Sequence, residues 1–492
     1  MFDFNLKPKV QKVNFGEEQL RALSLLEEFT KSDQTTTTLS GSAGTGKTSL
    51  VIEYLDYLDD EGIPYILAAP THKAKLVLEA LTGQGAFTVH QLLSLQPNLD
   101  IFELDFRELD FFSNSDAYNH PNQIPYKGVI IIDEASMIND DLFEFIIDCA
   151  RKSESKVVWV GDEKQLQPVK SDKLSKVFSL DNKILLTKIY RQKEDSPVLD
   201  ILSELREHSL NNFEPCKGIE DSIYTFNNAM DFMRSSKDIL RETVVTGNVL
   251  NAKILAFTNA RVKALNQASR KLIFGENFKN EFNLGEIITG YDNFQYDSFQ
   301  FYNSLDYVIR NTPVKEKKIL PYLTKPLNGF TLSLYDTVYK NVNKVFVLSR
   351  DNDPNDIANL AKLLEQTRQH AVLLKKSGKS SNLMWGKYYT LMGSFATTFD
   401  LFCDNRVIKK KTFDYGYALA VHKSQGSSFN TVFVDIANIN ACSDEKVLRQ
   451  LQYVAISRTK GDVYLLVWYL NLYTPILLKK IFLSNLKTYI RI

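Results

Sequence analysis

Several features that would point to whole classes of protein are scarce or absent in this 492-residue sequence. It has four cysteines, Cys149, Cys216, Cys403 and Cys442, which lie far apart. Their spacing fits neither a zinc site nor a disulfide framework, so we interpret them as core or incidental residues of a reducing compartment. No stretch approaches 18 consecutive apolar residues, and the start, MFDFNLKPKV, lacks the basic and apolar segments of a secretory signal. We therefore expect a cytoplasmic protein without a membrane anchor.

An excess of positive charge is also missing. Lys plus Arg and Asp plus Glu both number 59, so the formal net charge is zero. This balance excludes a broadly basic nucleic-acid-binding surface and leaves only a local one. The length predicts about three or four domains.

The clearest positive signal is LSGSAGTGKTSLVIEYL, which begins at Leu39. Gly41, Gly46, Lys47 and Thr48 match G-x-x-x-x-G-K-[ST], and the motif follows a short strand-like run and precedes an apolar helix. Glycines allow backbone N–H groups to converge on a phosphate, the lysine reaches the β- and γ-phosphates, and the hydroxyl binds Mg²⁺. The predicted ATP-binding loop consists of Gly41, Ser42, Ala43, Gly44, Thr45, Gly46, Lys47 and Thr48. The alternative is a glycine-rich turn that binds no ligand.

Two further strand ends supply groups that ATP hydrolysis needs. The apolar run 129–132 leads directly into Asp133 and Glu134, which suit a Mg²⁺ ligand and a water-polarising carboxylate. The run 157–160 leads into GDEKQLQPV, whose Gln165 is placed to contact the γ-phosphate. Polar residues after parallel strands gather at one edge of a sheet. The alternative for each is an ordinary solvated turn.

The rest of the chain divides into segments that differ in composition and in hydrophobic periodicity. The segment 91–124 is rich in Asn, Asp, Pro and aromatic residues and is predicted to be an insertion. A second α/β pattern starts near Ile254 and resumes near Tyr415. Between them, 275–412 is predicted to be a mainly β module, with a hairpin at 330–348 and a helix at 354–374.

Eight motifs occur in the order found in superfamily 1 helicases: GSAGTGKT, APTHKAK, TVHQLL, DEASM, GDEKQLQPV, IYRQ, HKSQGSSF and YVAISRTK. They resemble most the Dda/RecD/Pif1-type branch. The resemblance implies an α/β fold of two RecA-like P-loop domains in tandem, with a small insertion in the first and an SH3-like β insertion in the second. The implied boundaries are 1–90 with 125–187 for the first domain, 91–124 for its insertion, 188–274 with 413–492 for the second, and 275–412 for the accessory insertion.

The same resemblance assigns roles to residues outside the phosphate loop. Gln19 matches the adenine-reading glutamine of the family, and Gln425 matches a residue that contacts ATP and DNA together. Arg191 and Arg458 match the two arginines that the second domain directs at the γ-phosphate. Tyr190 is left open between stacking on the base and another role.

A second set of motif residues matches the family's contacts to single-stranded DNA. These residues are Thr71, His72, Lys73, Thr88, His90, His422 and Ser424. Contacts from hydroxyls, backbone N–H groups and helix starts read phosphates without reading sequence. The lysine-rich runs 375–379 and 409–411 are interpreted as solvated faces.

Together these patterns predict an ATP-dependent DNA helicase that uses ATP and Mg²⁺. By resemblance it moves 5′ to 3′ on single-stranded DNA and acts at DNA forks as a monomer, in the host cytoplasm if phage-encoded. Single-strand-binding, replication or recombination proteins are candidate partners. Two alternatives remain at this stage: a DNA-stimulated translocase that remodels protein–DNA complexes without unwinding, and a P-loop kinase or metabolic NTPase. The second is disfavoured because a kinase needs a lid and an acceptor pocket rather than HKSQG and AISRT.

Overall fold

The computed structural model describes residues 15–93, 124–166, 175–190, 196–219 and 221–467. Within these ranges the chain forms two parallel α/β sheets and one antiparallel sheet. We call the unit around the first parallel sheet lobe 1, the unit around the second lobe 2, and residues 275–415 the inserted module. The predicted insertion at 91–124 lies outside the described residues except for 91–93 and 124.

Lobe 1 contains a six-stranded parallel sheet in the order β3-β2-β4-β5-β1-β6. Its strands are β1 (Thr36–Gly41), β2 (Tyr65–Ala69), β3 (Ala86–Thr88), β4 (Val129–Ile132), β5 (Lys156–Gly161) and β6 (Lys183–Leu186). Its helices are α1 (Glu17–Lys31), α2 (Lys47–Asp60), α3 (His72–Thr82), α4 (Val89–Leu92) and α5 (Asp140–Lys152). A 3-10 turn at Ala135–Met137 follows β4, and another spans Lys176–Ser179.

The strands of lobe 1 are apolar on both faces. Ile130 and Trp159 pack in one core cluster, while Ile131 and Val158, their chain neighbours, pack in another. A parallel sheet covered by helices on both faces requires continuous apolar runs of this kind. This burial explains why the sequence predicted these strands correctly and placed their polar successors at one edge.

Lobe 2 repeats this architecture, with the order β20-β9-β21-β22-β8-β7. Its strands are β7 (Cys216–Lys217), β8 (Ser222–Phe226), β9 (Ala252–Ala256), β20 (Ala418–Ala420), β21 (Thr431–Val434) and β22 (Val463–Leu466), and only β7 pairs antiparallel. Its helices are α6 (Pro197–Glu207), α7 (Ala229–Thr246), α8 (Asn259–Phe274), α11 (Ile436–Ile439) and α12 (Glu445–Ile456). A 3-10 turn at Val421–Ser424 follows β20. The predicted tandem of two RecA-like α/β domains is confirmed.

The inserted module is built on an antiparallel sheet in the order β14-β15-β13-β10-β19, with β16 also pairing β15. Its strands are β10 (Ile287–Gly290), β11 (Phe294–Tyr296), β12 (Phe299–Phe301), β13 (Asp306–Ile309), β14 (Val314–Lys318), β15 (Leu327–Asp336), β16 (Val342–Leu348), β17 (Leu401–Cys403), β18 (Arg406–Lys409) and β19 (Phe413–Tyr415). Two helices, α9 (Pro354–Lys376) and α10 (Asn382–Met392), complete it, and a 3-10 turn at Gly275–Lys279 begins it. No helix among the described residues is both long and apolar enough to cross a bilayer.

The hairpin predicted at 330–348 and the helix predicted at 354–374 are both present as β15–β16 and α9. The predicted end of the module at 412 stays a prediction. The next strand, Phe413–Tyr415, pairs with β10, while Tyr415 also packs in a core cluster with residues of lobe 2. The SH3-like character stays a prediction, and α10 was not anticipated.

Buried ion pairs join the module to lobe 2. Lys253 on β9 lies 2.8 Å from Asp306 on β13, and both side chains are almost fully buried. Arg270 on α8 pairs with Glu286, next to β10. Because an unpaired charge is expensive to bury, each pair restricts how the module can sit on its lobe.

Candidate active site

The phosphate loop joins β1 to α2 at the carboxyl edge of the lobe 1 sheet. Gly46 has φ 84°, in the left-handed region that favours glycine. A Cβ on Gly41 would lie 2.6 Å from Thr45 Oγ1 and 2.9 Å from the Leu186 carbonyl oxygen. Thr45 Oγ1 donates to the Ser42 carbonyl at 3.0 Å and closes the turn. The loop geometry therefore explains the glycines and leaves the first N–H groups of α2 exposed to an anion.

Lys47 lies across this loop. Its Nζ donates to the carbonyl oxygens of Gly41 and Ser42 at 2.7 and 2.9 Å. Both acceptors are neutral, so a phosphate oxygen would be a stronger partner for the ammonium group. Thr48 and Ala43 are partly exposed beside it, as ligand-binding residues must be.

Asp133 and Glu134 follow β4 directly. Asp133 is held by its backbone N–H, which donates to the Ala68 carbonyl at 2.9 Å, and its Oδ1 accepts from the Glu134 N–H at 2.9 Å. Glu134 has φ 52°, a conformation that costs a non-glycine residue about 1 kcal/mol or more and concentrates at functional sites.

Desolvation dominates the electrostatics of this carboxylate pair. Burial raises the pKa of Asp133, against hydrogen bonding from the Glu134 N–H and the charge of Lys47. Burial also raises the pKa of Glu134, and the charge of Asp133 adds to it, while Arg458 and Lys47 oppose the shift. Two crowded, desolvated carboxylates supply oxygen donors that suit a hard cation such as Mg²⁺. No group of three or more His, Cys, Asp or Glu side chains in the described part of the chain forms a metal cage, so phosphate or water oxygens would have to complete the coordination.

Gln165 lies in the loop after β5. It is 5% exposed, and its Oε1 has no hydrogen-bond partner among the described residues. A buried, unpaired amide oxygen is costly and marks a group that awaits a partner. The position of Gln165 is compatible with the predicted contact to a bound γ-phosphate or to the water that attacks it.

Lobe 2 contributes Arg458 to the same cleft. The side chain is 4% exposed, and its guanidinium donates to Val454 O, Ser427 O and Ser457 Oγ at 3.1, 3.3 and 3.0 Å. Burial lowers the pKa of Arg458, and the carboxylate of Glu134 opposes that shift more than any other group. Arg458 and Glu134 therefore interact electrostatically across the cleft.

The cleft also contains contacts that the sequence did not reveal. Tyr453 on α12 donates its hydroxyl to Asp162 Oδ2 at 2.8 Å, and both residues are buried. Leu166 packs in the hydrophobic core of lobe 2, although it belongs to the loop after β5. The carbonyl oxygen of Leu166 accepts from Gln425 Nε2 at 3.5 Å. The only sequence signal for the contact between Tyr453 and Asp162 was that Asp162 lies in the motif GDEKQ and Tyr453 in the motif YVAISR.

The opposite end of the cleft contains Gln19 and Tyr190. Gln19 is 2% exposed, accepts from the Gly16 N–H and donates to the Thr45 carbonyl, both at 3.1 Å. The Tyr190 N–H donates to the Gly44 carbonyl at 2.8 Å, and its hydroxyl lies 2.3 Å from the position of a Cβ on Gly16. Gln19 and Tyr190 thus both lie against the phosphate loop, where a base would extend. Arg191 lies outside the described residues.

The predicted DNA-contact hydroxyls have structural partners. Thr71 and Thr88 cap α3 and α4 by accepting from the backbone N–H groups of Ala74 and Gln91, each at 3.1 Å. Ser424 is fully buried and donates to the Val421 carbonyl at 2.7 Å. A contact from Ser424 to DNA would therefore have to use its backbone.

The three motif histidines are neutral near pH 7. Burial lowers the pKa of His72 to about 4, with the charge of Lys75 adding to the effect. Burial also lowers the pKa of His90 and of His422. They can act as single N–H donors or stacking rings but not as cations. Among the predicted DNA-contact residues, positive charge therefore has to come from Lys73. Burial lowers the pKa of Lys73 to about 8, and the charge of Asp306 opposes that shift.

The interpretation of 409–411 as a solvated face is wrong. Lys409 is buried, donates to the Met392 carbonyl at 3.1 Å and lies over the Phe294 ring. Lys411 is partly buried and lies 4.0 Å from the centroid of Tyr291. The module folds over this run, a long-range contact that local composition cannot indicate.

Residues from both lobes thus line one cleft, which is the arrangement of a two-lobed P-loop nucleotide hydrolase. The chain matches a family model described as an AAA domain over residues 15–217 and one described as a UvrD-like helicase C-terminal domain over residues 415–466. These matches fall on lobe 1 and the last part of lobe 2.

The chain is also similar to named helicases. It is 26% identical over 475 residues to the ATP-dependent DNA helicase dda of Enterobacteria phage T4, covering 91% of this chain and 98% of that protein. It is 32% identical over 193 residues to the ATP-dependent RecD2 DNA helicase of Deinococcus radiodurans, covering 39% of this chain and 24% of the relative. A crystal structure of the Pif1 helicase from Candida albicans aligns with 97% of this chain and all of its own at 17% identity, with a TM-score of 0.49. These matches and relatives support a superfamily 1 helicase of the Dda/RecD/Pif1-like branch.

Proposed function

We propose that this chain uses ATP and Mg²⁺ to move 5′ to 3′ along single-stranded DNA and unwinds the duplex ahead of it. It is an ATP-dependent DNA helicase. The observation that carries the mechanism is the contact between the two lobes: Tyr453 of lobe 2 donates to Asp162 of lobe 1 at 2.8 Å, and a Cβ on Gly426 of lobe 2 would lie 3.8 Å from Glu134 Oε1. The charge of Glu134 also opposes the lowering of the Arg458 pKa. A triphosphate bound where the lobes meet would contact both of them.

Each residue of the candidate active site would carry out a separate part of ATP hydrolysis. The N–H groups of the loop and Lys47 would bind the phosphates, and Glu134 would orient the attacking water. Thr48 and Asp133 would hold Mg²⁺, which supplies charge stabilisation to the phosphates. Arg458 would stabilise the charge that develops on the γ-phosphoryl oxygens. Because Arg458 belongs to lobe 2, hydrolysis requires a closed cleft.

The loop after β5 provides a route by which ATP hydrolysis in the cleft would move lobe 2. Gln165 would sense the γ-phosphate, while its neighbours Asp162 and Leu166 are held by Tyr453 and the core of lobe 2. A change at the phosphate would then act on lobe 2 directly. Repeated closing and opening would shift the two lobes along a DNA strand.

Replacing Tyr453 by phenylalanine tests this route. The variant leaves a buried Asp162 oxygen without its partner, at a cost of roughly 1–3 kcal/mol to the closed cleft, so we expect kcat to fall by roughly 5- to 100-fold. ATP affinity should change much less, because the phosphate loop belongs to lobe 1. Steady-state and single-turnover ATPase assays separate the two quantities.

The control for Tyr453→Phe is Tyr464→Phe on β22, whose ring stacks on Tyr224 at 4.6 Å, away from the cleft. If Tyr453→Phe behaved like Tyr464→Phe, the bond to Asp162 would have no part in closing the cleft.

Duplexes with a single tail test the helicase activity and its direction. We expect DNA-stimulated ATP hydrolysis and unwinding of a duplex that carries a 5′ tail. Exclusive use of a 3′ tail would reverse the assigned direction. DNA-stimulated hydrolysis with no unwinding of either substrate would favour the alternative of a translocase that remodels protein–DNA complexes. Single-strand-binding, replication or recombination proteins are proposed partners at forks.

A further inference from the structure

A cleft outside the ATP site opens between α8 of lobe 2 and the inserted module. Its volume is about 240 Å³. Helix α8 contributes Lys263. The module contributes Arg350, Thr398, Phe399, Asp400, Phe402 and the pair Lys411 and Asp414. None of these residues takes part in the nucleotide chemistry described above.

The cleft has unneutralised positive charge. The guanidinium of Arg350 donates to Thr398 Oγ1 at 3.2 Å and to the Thr398 carbonyl at 2.9 Å, and both acceptors are neutral. Lys263 is exposed on α8 and forms no ion pair with any residue that the structure describes. Lys411 is paired with Asp414. Asp400 also lines the cleft, so its three cations exceed its two carboxylates by one, and Lys263 and Arg350 are the cations that form no ion pair with the described residues.

An aromatic side chain lies beside these cations. Phe402 on β17 is 55% exposed, unlike the adjacent Leu401, which is fully buried. A lone exposed apolar residue needs no explanation by itself. A flat ring next to two unneutralised cations, however, combines the two features that bind single-stranded nucleic acid without sequence preference.

The cleft is continuous with the motif HKSQGSSF. Lys423 Nζ lies 3.5 Å from the Tyr291 ring centroid, and Lys411 Nζ lies 4.0 Å from the same centroid. Lys423 also donates to Asn303 Oδ1 at 3.4 Å. Burial lowers the pKa of Lys423 to about 8; the charges of Lys411 and Lys73 add to the effect, and those of Asp414 and Asp292 oppose it. One basic and aromatic surface thus runs from Lys423 through Tyr291 and Lys411 into the cleft.

We propose that this cleft is a further subsite for single-stranded DNA, in which Phe402 stacks on a base while Lys263 and Arg350 bind the adjoining phosphates. The proposal rests on the proposed function, because it extends a strand that contacts HKSQGSSF. An acidic peptide is the other ligand that such a pocket could accept. The continuity with Lys423 favours the nucleic acid.

The test compares oligothymidylates of increasing length on the full chain by fluorescence anisotropy. Phe402→Leu with Lys263→Ala should weaken the binding of long oligonucleotides by about tenfold or more, since each stacked base is worth roughly 1–3 kcal/mol. Oligonucleotides too short to reach the cleft should bind as they do to the unmodified chain. The salt dependence of long-oligonucleotide binding should fall by about one unit of slope for the lost lysine. Phe402→Trp should retain the affinity that Phe402→Leu loses.

Lys271→Ala is the matched control, because Lys271 is exposed on the same helix but lies near Phe278, away from the cleft. Equal losses for short and long oligonucleotides, or no loss for either, would overturn the subsite while leaving DNA-stimulated hydrolysis intact. Failure of the unmodified chain to bind DNA of any length would instead overturn the proposed function. If the cleft variants lost affinity only for a polyglutamate peptide, the cleft would belong to a protein partner, and the proposal would be wrong. Melting temperatures by circular dichroism exclude unfolding as the cause.

Discussion

Replacing Lys47 by alanine is expected to reduce ATP turnover by about 100- to 1,000-fold or more and to abolish unwinding. A charged donor aimed at the β- and γ-phosphates acts in a water-poor cleft, where the loss of one preorganised donor has effects of this size. The fold should survive, because Lys47 is partly exposed and its Nζ bonds two loop carbonyls rather than a core group. The measurement is the ATPase rate with and without single-stranded DNA, together with a circular dichroism spectrum.

Lys31→Ala provides the control for Lys47→Ala, because Lys31 is an exposed lysine at the end of α1 in the same lobe. Lys47→Arg distinguishes charge from geometry, since the longer planar group keeps the charge but not the position. Normal turnover by Lys47→Ala in a folded protein would remove Lys47 from the phosphate site.

Replacing Arg458 is expected to separate ATP binding from hydrolysis. An arginine supplied from across a cleft to the γ-phosphoryl group is worth about 10³–10⁵ in rate. The phosphate loop of lobe 1 contains the main binding contacts, so Arg458→Ala should bind ATP with nearly unchanged affinity. Nucleotide binding measured with a fluorescent ATP analogue, beside single-turnover hydrolysis, gives both quantities.

Arg458 is buried, and three groups of its own lobe accept from it, so the alanine variant alone could fail for structural reasons. Arg458→Lys keeps the charge and most of the volume but lacks the planar fork, and it should still lose most of the hydrolysis. Arg449→Ala, at a partly exposed position of α12, the helix that ends just before Arg458, should behave like the unmodified chain. Loss of nucleotide binding with unchanged hydrolysis per bound ATP would contradict the role given to Arg458.

The elements predicted from the sequence agree best with the structure in lobe 1. The strand at 129–132 was predicted to the residue, because an apolar strand buried on both faces leaves an unbroken run in the sequence. The pairing of β19 with β10 was not anticipated, since the two strands are more than 100 residues apart and β19 looks locally like the rest of lobe 2. The motif hydroxyls were assigned to DNA, whereas Thr71 and Thr88 cap helices, a use that also follows from their positions at the helix starts.

The sequence by itself determined the phosphate loop, the carboxylates after β4 and the tandem of two α/β lobes, because dihedral preference and burial periodicity act over a few residues and leave a local record. Only the tertiary structure decided which distant groups meet. Tyr453 and Asp162 are 291 positions apart, and the charge of Glu134 in lobe 1 acts on Arg458 in lobe 2 only because the two lobes pack together. The neutral histidines and the buried Lys409 are likewise consequences of desolvation, which depends on what the rest of the chain places around a group.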